Sequence, residues 1–426
     1  RRQKPSKIGN GMIIGLSVAA VAILGLIVVA VLLFSGEAEK PAGNGGDEGK
    51  TARNPTSKKG KATPKAAAPR AKKLLKVGGP ESEYETIAAA LQYVQSHHED
   101  YRGSGRRVQV TIEVLGDATY AESIVIDGSK QSWPTGIAIV NSGLGLATLA
   151  PAGSDPIIRL HQVEYVQVRG FHLQAAGRPV AIVLAGGQDR VQLQQLTVEG
   201  FSRSGIRAEG VAGEPSQDVL QLQDLLLKAG NPQAVGLQFT RGVYPTANVK
   251  VHRCRVIGPL AVGIQLDDNV SSMVIQESII QGAQVGLQLA GKNRTWKRVR
   301  MENITFFQVT RGIVFEQMPG ENSEGVVISR NLFAEQRGPE CVVENGYNEL
   351  NFSRMMSANR SIAQNWSSRQ EEANGELGER ELMLPNPKPQ RGISVKFSSA
   401  DPGSPEFLVP QPGVIRGHVG ARAVDR

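Results

Sequence analysis

Residues 191–198 read Val-Gln-Leu-Gln-Gln-Leu-Thr-Val, and this stretch decides the fold. Apolar residues occupy its first, third, sixth and eighth positions. The alternation over the first three positions predicts a short β-strand with one buried face. The change of phase between the third and sixth positions predicts a corner, after which a second short strand again points its apolar side chains inward.

The same eight-position pattern recurs along the chain, which predicts stacked structural repeats. Three of its sixth positions are not large and apolar, but Cys254, Ser278 and Asn331, and the phase still places them inside. Each unit is too short to bury its own apolar face, so neighbouring units must pair through parallel strands. Irregular earlier coils are predicted at residues 108–114, 124–126, 137–139 and 157–160. The seven regular units begin at Val166, Val191, Leu220, Val249, Met273, Val299 and Val326, with spacings of 25, 29, 29, 24, 26 and 27 residues.

A glycine followed by an apolar residue predicts a third strand in each coil. Glycine there indicates either a positive φ or a close approach of the backbone just before the strand. The pairs are Gly205-Ile206, Gly236-Leu237, Gly263-Ile264, Gly286-Leu287 and Gly312-Ile313.

Three short strands per coil resemble the right-handed parallel β-helix of the pectin-lyase-like superfamily. The resemblance implies an all-β solenoid over residues 108–345 and supplies its handedness. Residues 75–107 are expected to form an N-terminal cap, in which Ser82 and Glu85 make a capping box and Ile87, Leu91 and Val94 form an apolar stripe on a helix. Residues 346–426 lose the period and are expected to be irregular and to pack on the last coils.

Residues 12–34 are uncharged and mostly aliphatic, which predicts one transmembrane helix, since 23 residues exceed the roughly 30 Å thickness of the hydrocarbon layer. A secretory signal peptide is the alternative. Four basic residues in residues 1–11 mark these as a cytoplasmic juxtamembrane stub. The lipid bilayer is therefore an expected partner, and the β-helix is expected to be periplasmic or extracellular. Residues 35–74 are predicted to be a disordered, basic linker rich in Pro, Ala and Lys.

The net charge of +8 arises outside the repeats. Residues 1–11 carry four basic groups and no acid, and residues 35–76 carry eleven basic and four acidic groups, which leaves residues 77–426 mildly acidic. A nucleic-acid partner is therefore not expected.

The repeats carry few residues suited to catalysis. Asp267 and Asp268 are the only adjacent acidic pair in them. This pair resembles the paired aspartates of polygalacturonase-like enzymes, although the accompanying Gly-His-Gly and Arg-x-Lys elements are missing; a solvated turn is the alternative. The six histidines and two cysteines are dispersed, so neither a metal site nor another cofactor is expected. The expectation is no catalytic activity.

Two groups of residues are candidates for binding. Gln238, Gln265 and Gln288 occupy equivalent outward positions, where they either hydrogen-bond sugar hydroxyls or satisfy one another along the stack. The second candidate is a basic turn around Trp296, which is predicted to expose an aromatic ring beside cations that suit an acidic polysaccharide. A solvated loop is the alternative. The cations of this turn are Lys292, Arg294, Lys297, Arg298 and Arg300.

These observations predict a membrane-anchored, non-catalytic β-helix that binds a cell-envelope or extracellular polysaccharide. The order of stub, helix, linker and β-helix resembles the extracytoplasmic half of membrane-anchored bacterial receptor-type serine/threonine kinases, which implies a sensor role. An anchored polysaccharide lyase or glycoside hydrolase, and a structural spacer without a ligand, are the alternatives.

Overall fold

The structure is a computed structural model. It describes residues 71–101, 108–143, 145–211, 219–267, 269–291, 294–356, 365–368, 395–402, 404, 406–411 and 420–421.

The predicted stub at residues 1–11, the predicted membrane helix at residues 12–34 and almost all of the predicted linker lie outside the described residues. In the part of the chain that is described, no helix has the length and apolar character needed to cross a bilayer.

The described elements are short strands with two α-helices. In chain order they are β1 (Leu74–Val77), α1 (Ile87–Ser96), a 3₁₀ turn (His98–Tyr101), β2 (Val110–Val114), β3 (Thr119–Tyr120), β4 (Ile124–Asp127), β5 (Ile137–Asn141), β6 (Ala147–Leu149), β7 (Ile158–His161), β8 (Val166–Arg169), β9 (Phe171–Gln174), β10 (Val180–Ala185), β11 (Val191–Gln194), β12 (Thr197–Phe201), β13 (Ser204–Glu209), β14 (Leu220–Gln223), β15 (Leu226–Ala229), β16 (Val235–Thr240), β17 (Thr246–His252), β18 (Arg255–Leu266), β19 (Val270–Gln276), β20 (Ile279–Leu289), β21 (Trp296–Lys297), β22 (Arg300–Glu302), β23 (Thr305–Phe307), β24 (Arg311–Phe315), β25 (Val327–Ser329), β26 (Leu332–Ala334), β27 (Cys341–Val343), α2 (Glu349–Met356) and β28 (Trp366–Ser367).

These strands form a parallel β-solenoid of about 8 turns, as the repeats predicted. The first strands of successive coils form one sheet, in the order β1-β2-β5-β8-β11-β14-β17-β19-β22-β25 with β21 beside β19. The second and third strands form the other sheet, through which β18 and β20 each run continuously. Leu193 pairs with Leu222, and Leu222 with Val251, so equivalent positions of the pattern lie directly above one another.

The predicted corner is a single residue with left-handed backbone conformation. The fifth position of each regular unit has a positive φ, although five of the seven residues there are neither glycine nor asparagine. At this residue the alternation of inward-facing and outward-facing side chains is shifted by one position, which explains the change of phase in the sequence. The residues are Gly170 (φ 83°), Gln195 (52°), Asp224 (54°), Arg253 (53°), Glu277 (52°), Asn303 (54°) and Arg330 (56°).

Polar side chains at the sixth position lie inside the core and bond to the backbone of the corner. Asn331 is buried; its Oδ1 accepts from Ile304 N at 2.9 Å, and its Nδ2 donates to Met301 O at 3.0 Å. Ser278 Oγ donates to a corner carbonyl at 2.9 Å and accepts from Cys254 N at 3.2 Å. These bonds satisfy polar groups that burial would otherwise leave unpaired.

The repeated glycines of the third strands reflect close packing and not a positive φ. None of the five glycines that precede the third strands has a positive φ. A β-carbon at Gly263 would lie 2.4 Å from Ile280 Cγ2 and 2.6 Å from Gly286 O. Of the two explanations that the sequence offered, close backbone approach is therefore confirmed.

The N-terminal end of the core is covered by α1. Ile87, Leu91 and Val94 are buried, as the apolar stripe predicted. The predicted capping box is wrong, because the helix begins at Ile87 with Thr86 as its N-cap, and Thr86 Oγ1 accepts from Ala89 N at 3.0 Å. The carboxylate of Glu122 accepts from the first two helical N–H groups, those of Ile87 and Ala88, at 2.8 Å each.

The described parts of residues 346–426 pack on the last coils. Phe352, Met355 and Met356 of α2 join the main core, and Val326 N donates to Met355 O at 3.2 Å. Phe407 packs against Ile279 on the outer face of the second strands. Arg255 Nη1 donates to Pro402 O at 2.8 Å, and Ala421 N donates to Thr305 Oγ1 at 2.9 Å.

Replacing Gly263 with alanine is expected to destabilise the solenoid. The new methyl group would overlap both a core side chain and the backbone of the next coil, and overpacking of this kind typically costs about 1–3 kcal/mol. Urea denaturation followed by circular dichroism measures the change in the free energy of unfolding.

Gly230→Ala is the matched control, because the nearest atom to its β-carbon would be Gly200 Cα at an ordinary 3.4 Å. This variant is expected to stay within about 0.5 kcal/mol of the parent protein. Equal losses of stability in the two variants would contradict the packing explanation.

Candidate functional site

The loops that follow the third strands stack along one edge of the solenoid. We call the loops after β16, β18, β20, β24 and β27 the edge loops. Backbone and amide bonds join neighbouring members: Thr295 N donates to Asn269 Oδ1 at 2.9 Å, Gly320 N donates to Arg294 O at 3.0 Å, and Met318 N donates to Asn345 O at 3.0 Å. These bonds connect the edge loops after β18, β20, β24 and β27 to one another.

The last edge loops border an open cleft of about 720 Å³. This volume lies within the range of about 300–1,000 Å³ that is typical of ligand sites. The cleft is lined by Thr295, Gln317, Met318, Pro319, Gly320, Glu321, Asn322, Asn345, Gly346, Asn348 and Asn351.

Amide side chains dominate the polar lining of the cleft. Asn345 Nδ2 donates to Glu316 O at 3.1 Å, and Asn348 Oδ1 accepts from Asn351 N at 3.0 Å. These bonds position the two amides and leave each with further donors or acceptors, since an amide offers two N–H groups and a carbonyl oxygen with two lone pairs. Of the described residues that line the cleft, Glu321 alone is charged.

An exposed aromatic residue lies next to the lining residues in the chain. Tyr347 lies in the chain between two lining residues and is 45% exposed. Its ring centroid is 6.4 Å from that of Phe352, which packs in the core. Partial burial raises the pKa of the Tyr347 hydroxyl above its ordinary value, so the hydroxyl stays protonated at neutral pH.

The sequence did not single out this cleft. Residues 317–322 lie between predicted strands, and residues 345–351 lie at the end of the periodic region. The signal available was a density of Asn, Gln and Gly in two segments one coil apart, and only the stacking of the coils brings those segments together.

The predicted exposure of Trp296 is wrong, because its side chain is 0% exposed. Trp296 forms the short strand β21, pairs with Val270 and packs edge-on against Phe315, with ring centroids 5.9 Å apart. Its backbone N–H donates to Ser323 Oγ at 3.1 Å. The ring is therefore part of the hydrophobic core and cannot stack on a ligand.

The cations of the predicted basic turn do not converge on the cleft. Arg294 is half-buried and lies over Gly291, while Lys297 and Arg298 are exposed outside the lining. Arg300 Nη2 donates to Glu302 Oε2 at 2.7 Å on the first sheet. Lys292 lies outside the described residues.

The three glutamines are in register, and their amides bond to neighbouring side chains. Gln238 pairs with Gln265, and Gln265 pairs with Gln288, in the strand ladder. Gln265 Nε2 donates to Asp267 Oδ1 at 2.8 Å, and Gln288 Nε2 donates to Glu316 Oε1 at 2.6 Å. The outer face of the third strands is thus a network of amides and carboxylates, which differs from the predicted alternative of amides that satisfy one another.

Asp267, one of the two catalytic candidates, is part of that network. It accepts from Gln265, and Gln238 Nε2 lies 3.5 Å from its Oδ2. Asp268 lies outside the described residues. Gln265 belongs to the same coil as Asp267, and Gln238 belongs to the preceding one.

Cys254 is a buried free thiol, as its inward position predicted. Burial raises the pKa of this thiol to about 12, so it is not a reactive thiolate at neutral pH. The side chain of Cys341 is also buried. Among the described residues, no group of three or more His, Cys, Asp or Glu side chains could hold a metal ion.

The chain matches no protein-family model, no curated protein and no solved structure.

Replacing Trp296 with alanine is expected to destabilise the protein, because loss of a fully buried aromatic ring typically costs about 3–5 kcal/mol. Lys297→Ala, at the adjacent exposed position of the same strand, is the control and is expected to stay within about 0.5 kcal/mol. Chemical denaturation distinguishes the two. Equal unfolding midpoints for both variants would show that Trp296 is a surface residue.

Proposed function

We propose that the β-solenoid binds a polysaccharide in the cleft formed by the edge loops, without cleaving it. The observation that carries this proposal is the combination of an amide-rich lining with the exposed residue Tyr347, which lies in the chain between two lining residues.

Saccharide hydroxyls are both donors and acceptors, and amide side chains match them in both respects. Asn322, Asn345 and Asn348 come from two adjacent edge loops, so they offer such groups from two directions. The face of Tyr347 offers an apolar surface for the C–H side of a sugar ring, and its hydroxyl offers a polar group at the solvent edge. Pockets that combine apolar contact with a few placed polar groups are typical binding sites.

The charges around the cleft favour a neutral saccharide. Glu321 lines the cleft, and Glu316 lies behind it, where its Oε2 accepts from Gly291 N at 3.0 Å. Arg311, which lies nearby, is paired with Glu344. An acidic polymer remains a second candidate because Lys297 and Arg298 are exposed close by in the chain.

Binding is favoured over hydrolysis by the single carboxylate of the described lining. Glycoside hydrolysis generally uses two carboxyl groups on opposite sides of the scissile bond. The alternative of an anchored lyase or hydrolase therefore depends on catalytic groups from outside the described lining of the cleft. Incubation with a polysaccharide and assay for new reducing or unsaturated ends distinguishes the two functions.

The remaining parts of the proposal concern residues before the solenoid. We propose that residues 12–34 anchor the chain in a membrane and that the solenoid, of the pectin-lyase-like type, lies on the outer side. The order of segments supports a sensor role in a receptor-type kinase. Sequencing the gene upstream of the codon for Arg1 tests that role, because a kinase domain must be encoded there.

Asn322→Ala and Tyr347→Ala are each expected to weaken saccharide binding. Loss of one hydrogen bond or one aromatic contact, each worth about 0.5–1.5 kcal/mol, corresponds to a loss in affinity of roughly 2- to 10-fold. Isothermal titration calorimetry with hexasaccharides of chitin, cellulose and polygalacturonic acid measures the effect. Gln233→Ala, an exposed amide on another loop, is the control and is expected to leave the affinity unchanged.

Failure of the parent protein to bind any of the three hexasaccharides would contradict the proposal. Salt then distinguishes the two ligand classes. Affinity for a neutral ligand is expected to stay constant between about 0.05 M and about 0.5 M salt, whereas attraction of an acidic polymer to Lys297 and Arg298 would be screened. A steep loss with salt, together with weaker binding by Arg298→Ala, would favour the acidic polymer.

A further inference from the structure

The geometry points to a linear polymer that lies along the edge loops, parallel to the solenoid axis, and extends from the cleft to Tyr244. This inference rests on the proposed function and specifies its ligand as an extended chain in place of a single sugar or a chain end.

The described parts of successive edge loops follow one another from coil to coil. Asp267 N donates to Phe239 O of β16 at 2.8 Å, and Thr246 pairs with Val270, so the first two edge loops begin and end at paired strand positions. Bonds from Thr295 to Asn269, from Gly320 to Arg294 and from Met318 to Asn345 continue this contact to the cleft. A ligand that leaves the cleft in this direction meets one further edge loop for each coil that it passes.

The first of these loops exposes an apolar pair. Val243 is 89% exposed, and Tyr244 is 49% exposed. The loop is held close to the preceding coil, because a β-carbon at Gly210 would lie 2.6 Å from Tyr244 O and 2.7 Å from Gly242 Cα. The backbone at Tyr244 is thus tightly packed, whereas about half of the residue is exposed to solvent. Packing in the core therefore does not explain why an aromatic residue stands at this position.

The two exposed tyrosines are separated by a whole number of coils. Tyr244 follows β16 and Tyr347 follows β27, with the edge loops of β18, β20 and β24 between them. Four strand spacings of about 4.8 Å place the two loops about 19 Å apart along the axis. This separation is too long for a mono- or disaccharide and suits an oligosaccharide that contacts both rings.

The dependence of affinity on chain length tests this inference. Calorimetric titrations compare di- and hexasaccharides of chitin, cellulose and polygalacturonic acid, with the full chain in detergent and its Tyr244→Ala and Tyr347→Ala variants. We expect Tyr244→Ala to weaken binding of the hexasaccharide by roughly 2- to 10-fold and to leave binding of the disaccharide unchanged. Tyr347→Ala is expected to weaken binding of both.

Leu146→Ala, another exposed large apolar residue, is the matched control for a surface truncation and is expected to change neither affinity. Circular dichroism of each variant shows whether the fold is retained, and Tyr244→Leu provides a second variant that keeps an apolar side chain but lacks the ring.

The outcomes separate the inference from the proposed function. Equal hexasaccharide affinities for the parent, Tyr244→Ala and Tyr244→Leu, with an effect of Tyr347→Ala, would overturn the extended path and leave the cleft as the site. No effect of either Tyr347→Ala or Asn322→Ala on any ligand would overturn the proposed function itself. Hexasaccharide binding no tighter than disaccharide binding would also overturn the extended path.

Discussion

The left-handed residue at the fifth position of each regular unit is the constraint on which the rest of the structure depends. A non-glycine residue in this conformation costs roughly 1–2 kcal/mol, so it persists only where its surroundings require it. Here both flanking strands pair in register with the coils on either side, and a bend in one coil fits only if its neighbours bend at the same position. Side chains at the bend add contacts between coils, as between Asp224 and Arg253 at 2.6 Å. The bend thus places every third strand, and with it every edge loop.

The fold could be predicted from sequence because this bend changes the phase of the apolar pattern. The phase placed Asn331 and Ser278 inside the core in spite of their polarity, and the structure buries both. It could not show the bonds that Asn331 makes to Met301 O and Ser278 makes to Cys254 N, because these backbone groups belong to the adjacent coil. The same limit explains the error at Glu85: the acceptor for the start of α1 is Glu122, which lies 35 residues from Ile87 and is brought there only by folding.

The candidate site could be predicted only in part because the edge loops have no period. Trp296 stands among cations in the sequence, which favoured a surface location. Trp296 and Lys297 instead form a short strand that pairs with Val270 and Ser271. This pairing, which the sequence does not reveal, accompanies the burial of Trp296. The two halves of the cleft are also far apart in the sequence. Asn322 and Asn345 line the same cleft because they belong to successive coils, which stack on each other. The column of glutamines, by contrast, was predictable, because strand register follows directly from the repeat.

On some faces of the solenoid, the outward side chains are paired with or covered by other residues of the protein. This difference between the faces favours the edge loops as the place for a ligand. On the outer face of the first sheet, Glu302 is held by Arg300 and Arg330. On the second strands of the last coils, the apolar positions Ile279 and Leu332 are covered by residues from the end of the chain. The edge loops instead carry exposed amides and two exposed tyrosine rings whose spacing is set by the strands beneath them. Because each coil adds the same step of about 4.8 Å, contacts made by the loops recur along a line. A ligand that also repeats along a line can use several of them at once, whereas a compact ligand can use only those of the cleft.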